Sequence, residues 1–143
     1  MSTRELHSYE LTLDQKPVTY FGVGAVSKLG EIAKQLGAKK ALIVTDSFIA
    51  KSEMTANISS VLKRSGLEVS VFDGVTPNPT TACVDAGSDF AATAGADLLI
   101  ALGGGSSMDT AKGVSLGARN PERGIGLDYT TNFKHSGIPI IAI

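Results

Sequence analysis

The sequence holds one cysteine, two histidines and few aromatic residues, and each shortage removes a class of function. Cys83 on its own cannot close an internal disulfide, and without a Cys/His cluster a zinc site is excluded. Inside the helix expected around it, Cys83 reads as a small buried hydrophobe. Aromatics amount to 6%, too sparse for a base-stacking surface. The formal net charge is −1 with no Lys/Arg cluster, so nothing attracts nucleic acid. His7 and His135 lie far apart and read as surface residues. The first residues lack the apolar core of a signal peptide, and no apolar run approaches the roughly 20 residues of a membrane span. No Gly-Lys-Ser/Thr follows a glycine run, which excludes a nucleotide-triphosphate loop, and no Gly-x-Ser-x-Gly elbow marks a serine hydrolase. These absences describe a soluble, cytoplasmic chain that handles a small molecule, with no nucleic acid or membrane partner. No acid–base pair or nucleophile can be assembled, so no catalytic residue is expected here.

What is present is a core. Apolar residues make up 43% of 143 and charged residues 19%, enough for one globular domain. After a polar arm over residues 1–17, Val18 to Phe21 reads as a short strand. A helix from about Ala25 to Leu36 follows, with Val26, Leu29, Ile32, Ala33 and Leu36 on one face and Gly37 as its stop. Ala41–Thr45 reads as a buried strand, residues 54–64 as a helix closed by Gly66, and Glu68–Phe72 as a third strand. A third helix follows Asn78 and Pro79, with Asn78 placed to cap it, Val84, Gly87, Phe90 and Ala91 facing inward, and an end near Gly95. The next strand covers 97–102 and its helix runs to about Ala118; a longer loop occupies 119–136, and an apolar strand closes the chain at 137–143. Alternating strands and helices predict an α/β fold, a Rossmann-like parallel sheet with helices on both faces. A buried strand at the very end suggests an edge strand or a chain that continues.

The stretch richest in chemistry joins the 97–102 strand to its helix: Gly103-Gly104-Gly105-Ser106-Ser107-Met108-Asp109. Glycines let the backbone turn sharply and approach a ligand without a side chain between. Ser106 can cap the helix, and Asp109, three residues on, can complete a capping box. A helix N-terminus with free N–H groups is a site for phosphate. Ligands of open parallel sheets sit beyond the C-terminal strand ends, where two further residues wait. Asp46 can accept hydrogen bonds from a ribose, and its charge would repel the extra phosphate of NADP; it can equally be an N-cap of the next segment. Asn78 can line the same pocket or merely cap. A rival fingerprint, Gly22-x-Gly24-x-x-Ser27, resembles the dinucleotide pattern but has serine in the third glycine's place.

On the Gly103–Lys112 run the sequence resembles the iron-containing (group III) alcohol dehydrogenases. Phe21–Ala25, Ala41–Asp46, Phe72–Thr80 and Ile138–Ile143 match that family's loops and strands in order, so the resemblance runs essentially end to end. It implies a dinucleotide-binding domain over 1–143, truncated before a helical domain that holds Fe2+ or another divalent metal through one aspartate and three histidines. Members transfer a hydride between a primary alcohol or aldehyde and a nicotinamide cofactor. By position, Asp46 would bind the adenosine ribose of NAD and Asn78 would line that pocket. Gly104, Gly105 and Ser106 would hold the pyrophosphate, with Asp109 nearby. No metal ligand can be assigned within 143 residues, and the full-length chain would be a homo-oligomer. Two alternatives remain: a nucleotide-binding module without turnover, and a sister enzyme of the glycerol dehydrogenase or dehydroquinate synthase kind.

Overall fold

The computed structural model describes residues 18–121 and 132–143; the expected arm over 1–17 and the middle of the expected 119–136 loop lie outside these. Four short strands carry the fold: β1 (Lys40–Val44), β2 (Glu68–Phe72), β3 (Leu98–Ala101) and β4 (Ile140–Ala142). They are parallel throughout, in the order β2-β1-β3-β4. Parallel neighbours cannot be joined by a tight hairpin, so each connection needs a crossover. Three helices of the described residues supply them: α2 (Glu53–Arg64), α3 (Thr81–Ala94) and α4 (Gly105–Gly117). A 3-10 turn at Ala25–Lys28 leads into α1 (Leu29–Gln35), which precedes β1.

Strand side chains alternate between two faces, so an all-apolar strand buries both. Leu42 and Val44 of β1, with Leu99 and Ala101 of β3, pack against Cys83 and Ala91 of α3 and Ala111 and Val114 of α4. Ala41, Ile43, Leu98 and Ile100 point the other way, onto Leu29 and Ala33 of α1 and Ile58 and Leu62 of α2. This is the predicted α/β architecture, with helices on both faces of a parallel sheet. Two glycine contacts bring α3 and α4 close. A Cβ at Gly87 would lie 2.6 Å from Val114 Cγ2, and one at Gly113 would lie 2.7 Å from Val84 Cγ1.

Most element ends have a local cause. Gly95 takes a left-handed φ of 64° and its N–H reaches the carbonyls of Ala91 and Ala92, closing α3. Ser52 caps α2, its hydroxyl accepting from the Thr55 amide at 3.4 Å. At the N-terminal edge of the sheet the Asp97 carboxylate accepts from the backbone amides of Lys39, at 3.0 Å, and Lys40, at 2.8 Å. It thereby fixes where β1 starts beside β3. Ser115 ties α4 to the segment that leads into β4, its hydroxyl donating to the Ile138 carbonyl at 2.6 Å.

Three expectations are corrected. Residues 18–21 form no strand: Val18 is 77% and Phe21 102% exposed, and apolar, β-prone side chains without a paired neighbour do not make one. The cap of α3 is Thr80, whose hydroxyl accepts from Cys83 N at 3.2 Å, and not Asn78. Asn78 is left-handed, with φ 51°, and lacks the extended backbone of an N-cap, which Thr80 has, so the helix begins beyond it. Phe90 is not fully inward; it is 42% exposed and leans on Phe72 with ring centroids 5.9 Å apart.

Two buried threonines differ in one respect. Thr45, just past β1, donates its hydroxyl to the Leu102 carbonyl at 2.8 Å, whereas Thr110 Oγ1 in α4 has no partner among the described residues. Both are 0% exposed. Valine in place of each removes the same atom with opposite results. Thr45→Val should lower the unfolding free energy by about 1–3 kcal/mol, because a buried carbonyl loses its donor. Thr110→Val should be neutral or raise it by up to about 2 kcal/mol, since a desolvated hydroxyl disappears. Urea unfolding of the two variants, compared with the parent, measures both signs.

Candidate functional site

Strand order decides where a site can be. From β1 the chain steps to β2 on one side and then returns to β3 on the other side. The loops after β1 and β3 therefore part, and the crevice between them is where open α/β sheets hold ligands. Thr45 builds its floor. Its N–H donates to the Phe72 carbonyl at 3.0 Å, its carbonyl accepts from Val75 N at 3.2 Å, and its hydroxyl reaches Leu102. The ends of β1, β2 and β3 are thus stitched at one residue, and the next residue of each loop is carried to the same rim.

A cleft of about 260 Å³ opens there, lined by Asp46, Val75, Thr76, Pro77, Gly104, Gly105, Ser106 and Ser107. Four of the six residues read from the sequence, Asp46, Gly104, Gly105 and Ser106, meet in its wall. Asn78 and Asp109 do not line it. Asn78 follows Pro77 at the lip, exposed and in a left-handed conformation with φ 51°. Asp109 sits exposed on α4 and pairs with Lys112 at 3.0 Å. The expected capping box is absent. The N-cap of α4 is Gly104 and no side chain caps it, so Ser106 lies inside the first turn. With no capping side chain, the amides of Gly104, Gly105 and Ser106 have no acceptor among the described residues. These are the orphan donors of a helix N-terminus, aimed into the cleft.

The three glycines are not equivalent. Gly103 has φ +132°, and a Cβ there would lie 2.9 Å from Ser107 Oγ and 3.2 Å from Ile49 Cδ1. The fold itself demands glycine at 103. At Gly104 and Gly105 φ is ordinary and a Cβ would meet nothing within 4 Å. Among the described residues nothing requires those side chains to be missing, and the empty space over free amides fits a phosphate group.

Asp46 holds the turn that follows it and also lines the cleft. Its Oδ1 accepts from the amides of Phe48, at 2.8 Å, and Ile49, at 2.9 Å, capping the 3-10 turn Ile49–Lys51. Its Oδ2 accepts from no described residue, and the carboxylate is half-buried on the cleft wall. The rival Gly22-x-Gly24 turn precedes a 3-10 turn, follows no strand and does not line this cleft. Thr76, Ser107 and Ile49 escaped the sequence reading. Thr76 lies on the loop after β2 and signals itself only through its place beside Pro77. Ser107 and Ile49 carry no signal of their own.

Among the described residues no group of three or more His, Cys, Asp or Glu could hold a metal ion. His135 is exposed, and it meets buried Asn120 through its own backbone, its N–H donating to Asn120 Oδ1 at 3.0 Å. No helix of the described residues is long and apolar enough to cross a membrane.

Alanine at the three glycines separates fold from ligand. Gly103→Ala should cost about 1–3 kcal/mol of stability through overpacking and a strained φ, while Gly104→Ala and Gly105→Ala should stay within about 0.5 kcal/mol of the parent. Denaturant midpoints check this, and a large loss at 104 or 105 would show that the fold, not a ligand, requires those glycines.

Comparison with known proteins fits this geometry. Residues 17–143 match the family model described as iron-containing alcohol dehydrogenase. An NAD-dependent methanol dehydrogenase from Bacillus methanolicus is 36% identical over 127 residues, which cover 89% of this chain and 33% of that protein. The crystal structure of an alcohol dehydrogenase from Oenococcus oeni superposes with a TM-score of 0.80 at 37% identity, covering 87% of this chain and 33% of that one. A sulfoacetaldehyde reductase from Bifidobacterium kashiwanohense, solved in complex with NAD+, superposes at 0.75 with 29% identity over 88% of this chain and 34% of that one. The chain spans about a third of the length of these relatives. A parallel sheet with its cleft at the strand reversal, together with a family match over all but the first residues, establishes that the chain belongs to the iron-containing alcohol dehydrogenases.

Proposed function

We propose that this chain is the cofactor-binding part of an NAD-dependent alcohol dehydrogenase that interconverts a primary alcohol and its aldehyde. The observation that carries the reading is the pair Gly104–Gly105, where the fold leaves open space above unpaired amides that none of the described residues fills. The amides of Gly104, Gly105 and Ser106 would receive the pyrophosphate, their partial positive charge offsetting its negative charge. Asp46 Oδ2 would accept from the adenosine ribose while Oδ1 remains on the Phe48 and Ile49 amides. Asn78 and Asp109 stand outside the cleft wall, so a role for either belongs to the bound cofactor's outer margin.

When bound, NAD accepts or releases a hydride at its nicotinamide. This chain's part is to hold and orient the cofactor. The described residues do not fit an iron site, because no three His, Cys, Asp or Glu side chains come together among them. The family and the NAD-dependent and NAD-bound relatives support the reading. A cytoplasmic, homo-oligomeric full-length enzyme belongs to the same proposal. It rests on the family.

Titration with NADH and NADPH, followed by nicotinamide fluorescence, tests it. A carboxylate within about 4 Å of a 2′-phosphate costs on the order of 4 kcal/mol before solvent screening, so NADH should bind at least about tenfold more tightly. Asp46→Asn keeps an oxygen for the Phe48 and Ile49 amides and removes the charge, and should narrow that gap. A folded chain that binds neither nucleotide would overturn the proposal, and equal affinity for both would overturn the role of Asp46.

A further inference from the structure

Behind Asp46 the 3-10 turn is fastened at one atom. The Ile49 carbonyl oxygen accepts from Ser52 N at 2.9 Å, Ser52 Oγ at 2.7 Å and Thr55 Oγ1 at 2.6 Å. Thr55 is 4% exposed, and Ile49 packs against the α1–α2 side of the core. With its carbonyl held by three donors, Ile49 has little freedom to rotate. Two further contacts reach residues beside the cleft. Its N–H donates to Asp46 Oδ1 at 2.9 Å, and its Cδ1 stands 3.2 Å from where a Gly103 Cβ would be. One residue therefore touches both the carboxylate and the glycine turn.

We propose that the Thr55 hydroxyl, with that of Ser52, is a positioning device for nucleotide recognition: through Ile49 it fixes the Asp46 carboxylate at a set distance and angle from the Gly103–Gly105 turn. The inference rests on the reading of Asp46 as the ribose contact. A hydroxyl that only strengthened the start of α2 would affect folding and leave ligand discrimination alone. A hydroxyl that sets the carboxylate acts on discrimination, because a ribose-to-carboxylate hydrogen bond depends on alignment to a fraction of an ångström.

The test compares NADH with NADH lacking the adenosine 2′-hydroxyl, titrated into the 143-residue chain. The parent should prefer NADH by about tenfold or more, as a hydrogen bond to a charged acceptor allows. Asp46→Ala should bring the ratio to about one. Thr55→Val should cut it to about threefold or less with an unchanged circular-dichroism spectrum, and Thr55→Ser, which restores the hydroxyl, should recover it. If Thr55→Val weakens both ligands equally and leaves the ratio at the parental value, the positioning role is overturned while Asp46 stands. If Asp46→Ala leaves the ratio unchanged, or the parent shows none, the reading of Asp46 falls and the positioning role with it. Should Thr55→Val not fold, Ser52→Ala removes the companion hydroxyl and is judged by the same ratio.

Discussion

One hydrogen bond holds the site's architecture together: the hydroxyl of Thr45 on the carbonyl of Leu102. Parallel strands diverge after their last ladder bond, and at a reversal of strand order nothing in the ladder prescribes how far. Thr45 prescribes it, with its hydroxyl on the end of β3 and its amide on the end of β2. The bond is fully buried, in the low-dielectric interior where hydrogen bonds are strongest and their loss most costly. Asp46 and Gly103 are the residues next to its two ends. The rim of the crevice is tied together by a contact buried beneath it.

The site is asymmetric in how tightly it is held. The wall after β1 is rigid, with Asp46 Oδ1 on two amides and Ile49 anchored beneath it. The glycine side is determined at Gly103 and open at its two successors. A rigid selector beside an open cradle suits a molecule with one end to be recognised in detail and a charged middle to be received by dipoles. A dinucleotide has that form. Under the proposed reading the helix dipole would supply attraction without a fixed partner, while the carboxylate would supply the choice.

Much of this was legible in the sequence, for identifiable reasons. The strands at 41–45, 68–72 and 97–102 are short apolar or β-prone runs, and in a sheet covered on both faces such runs admit little else. The glycine triplet stood out because helix N-termini seldom need three. What sequence could not supply was pairwise. Val18–Phe21 has strand composition, but pairing depends on a neighbour that composition does not report. Ser106 and Thr80 are both good caps, and only the backbone path decides that Thr80 caps while Ser106 is drawn into the first turn. Asp46 was ambiguous between cap and ligand contact because it has two oxygens, and the structure uses one for the turn and leaves the other on the cleft.

The α3–α4 packing has a consequence for how this sequence can change. Gly87 faces Val114 and Gly113 faces Val84, so across the interface each small residue meets a branched one in a reciprocal lock. Neither glycine can gain a methyl group while its valine stays, and neither valine can shrink without leaving a void. An accepted substitution at one partner therefore waits on a change at the other. Across related sequences these two pairs should drift together, large for small and small for large, while the sum of their volumes stays nearly constant.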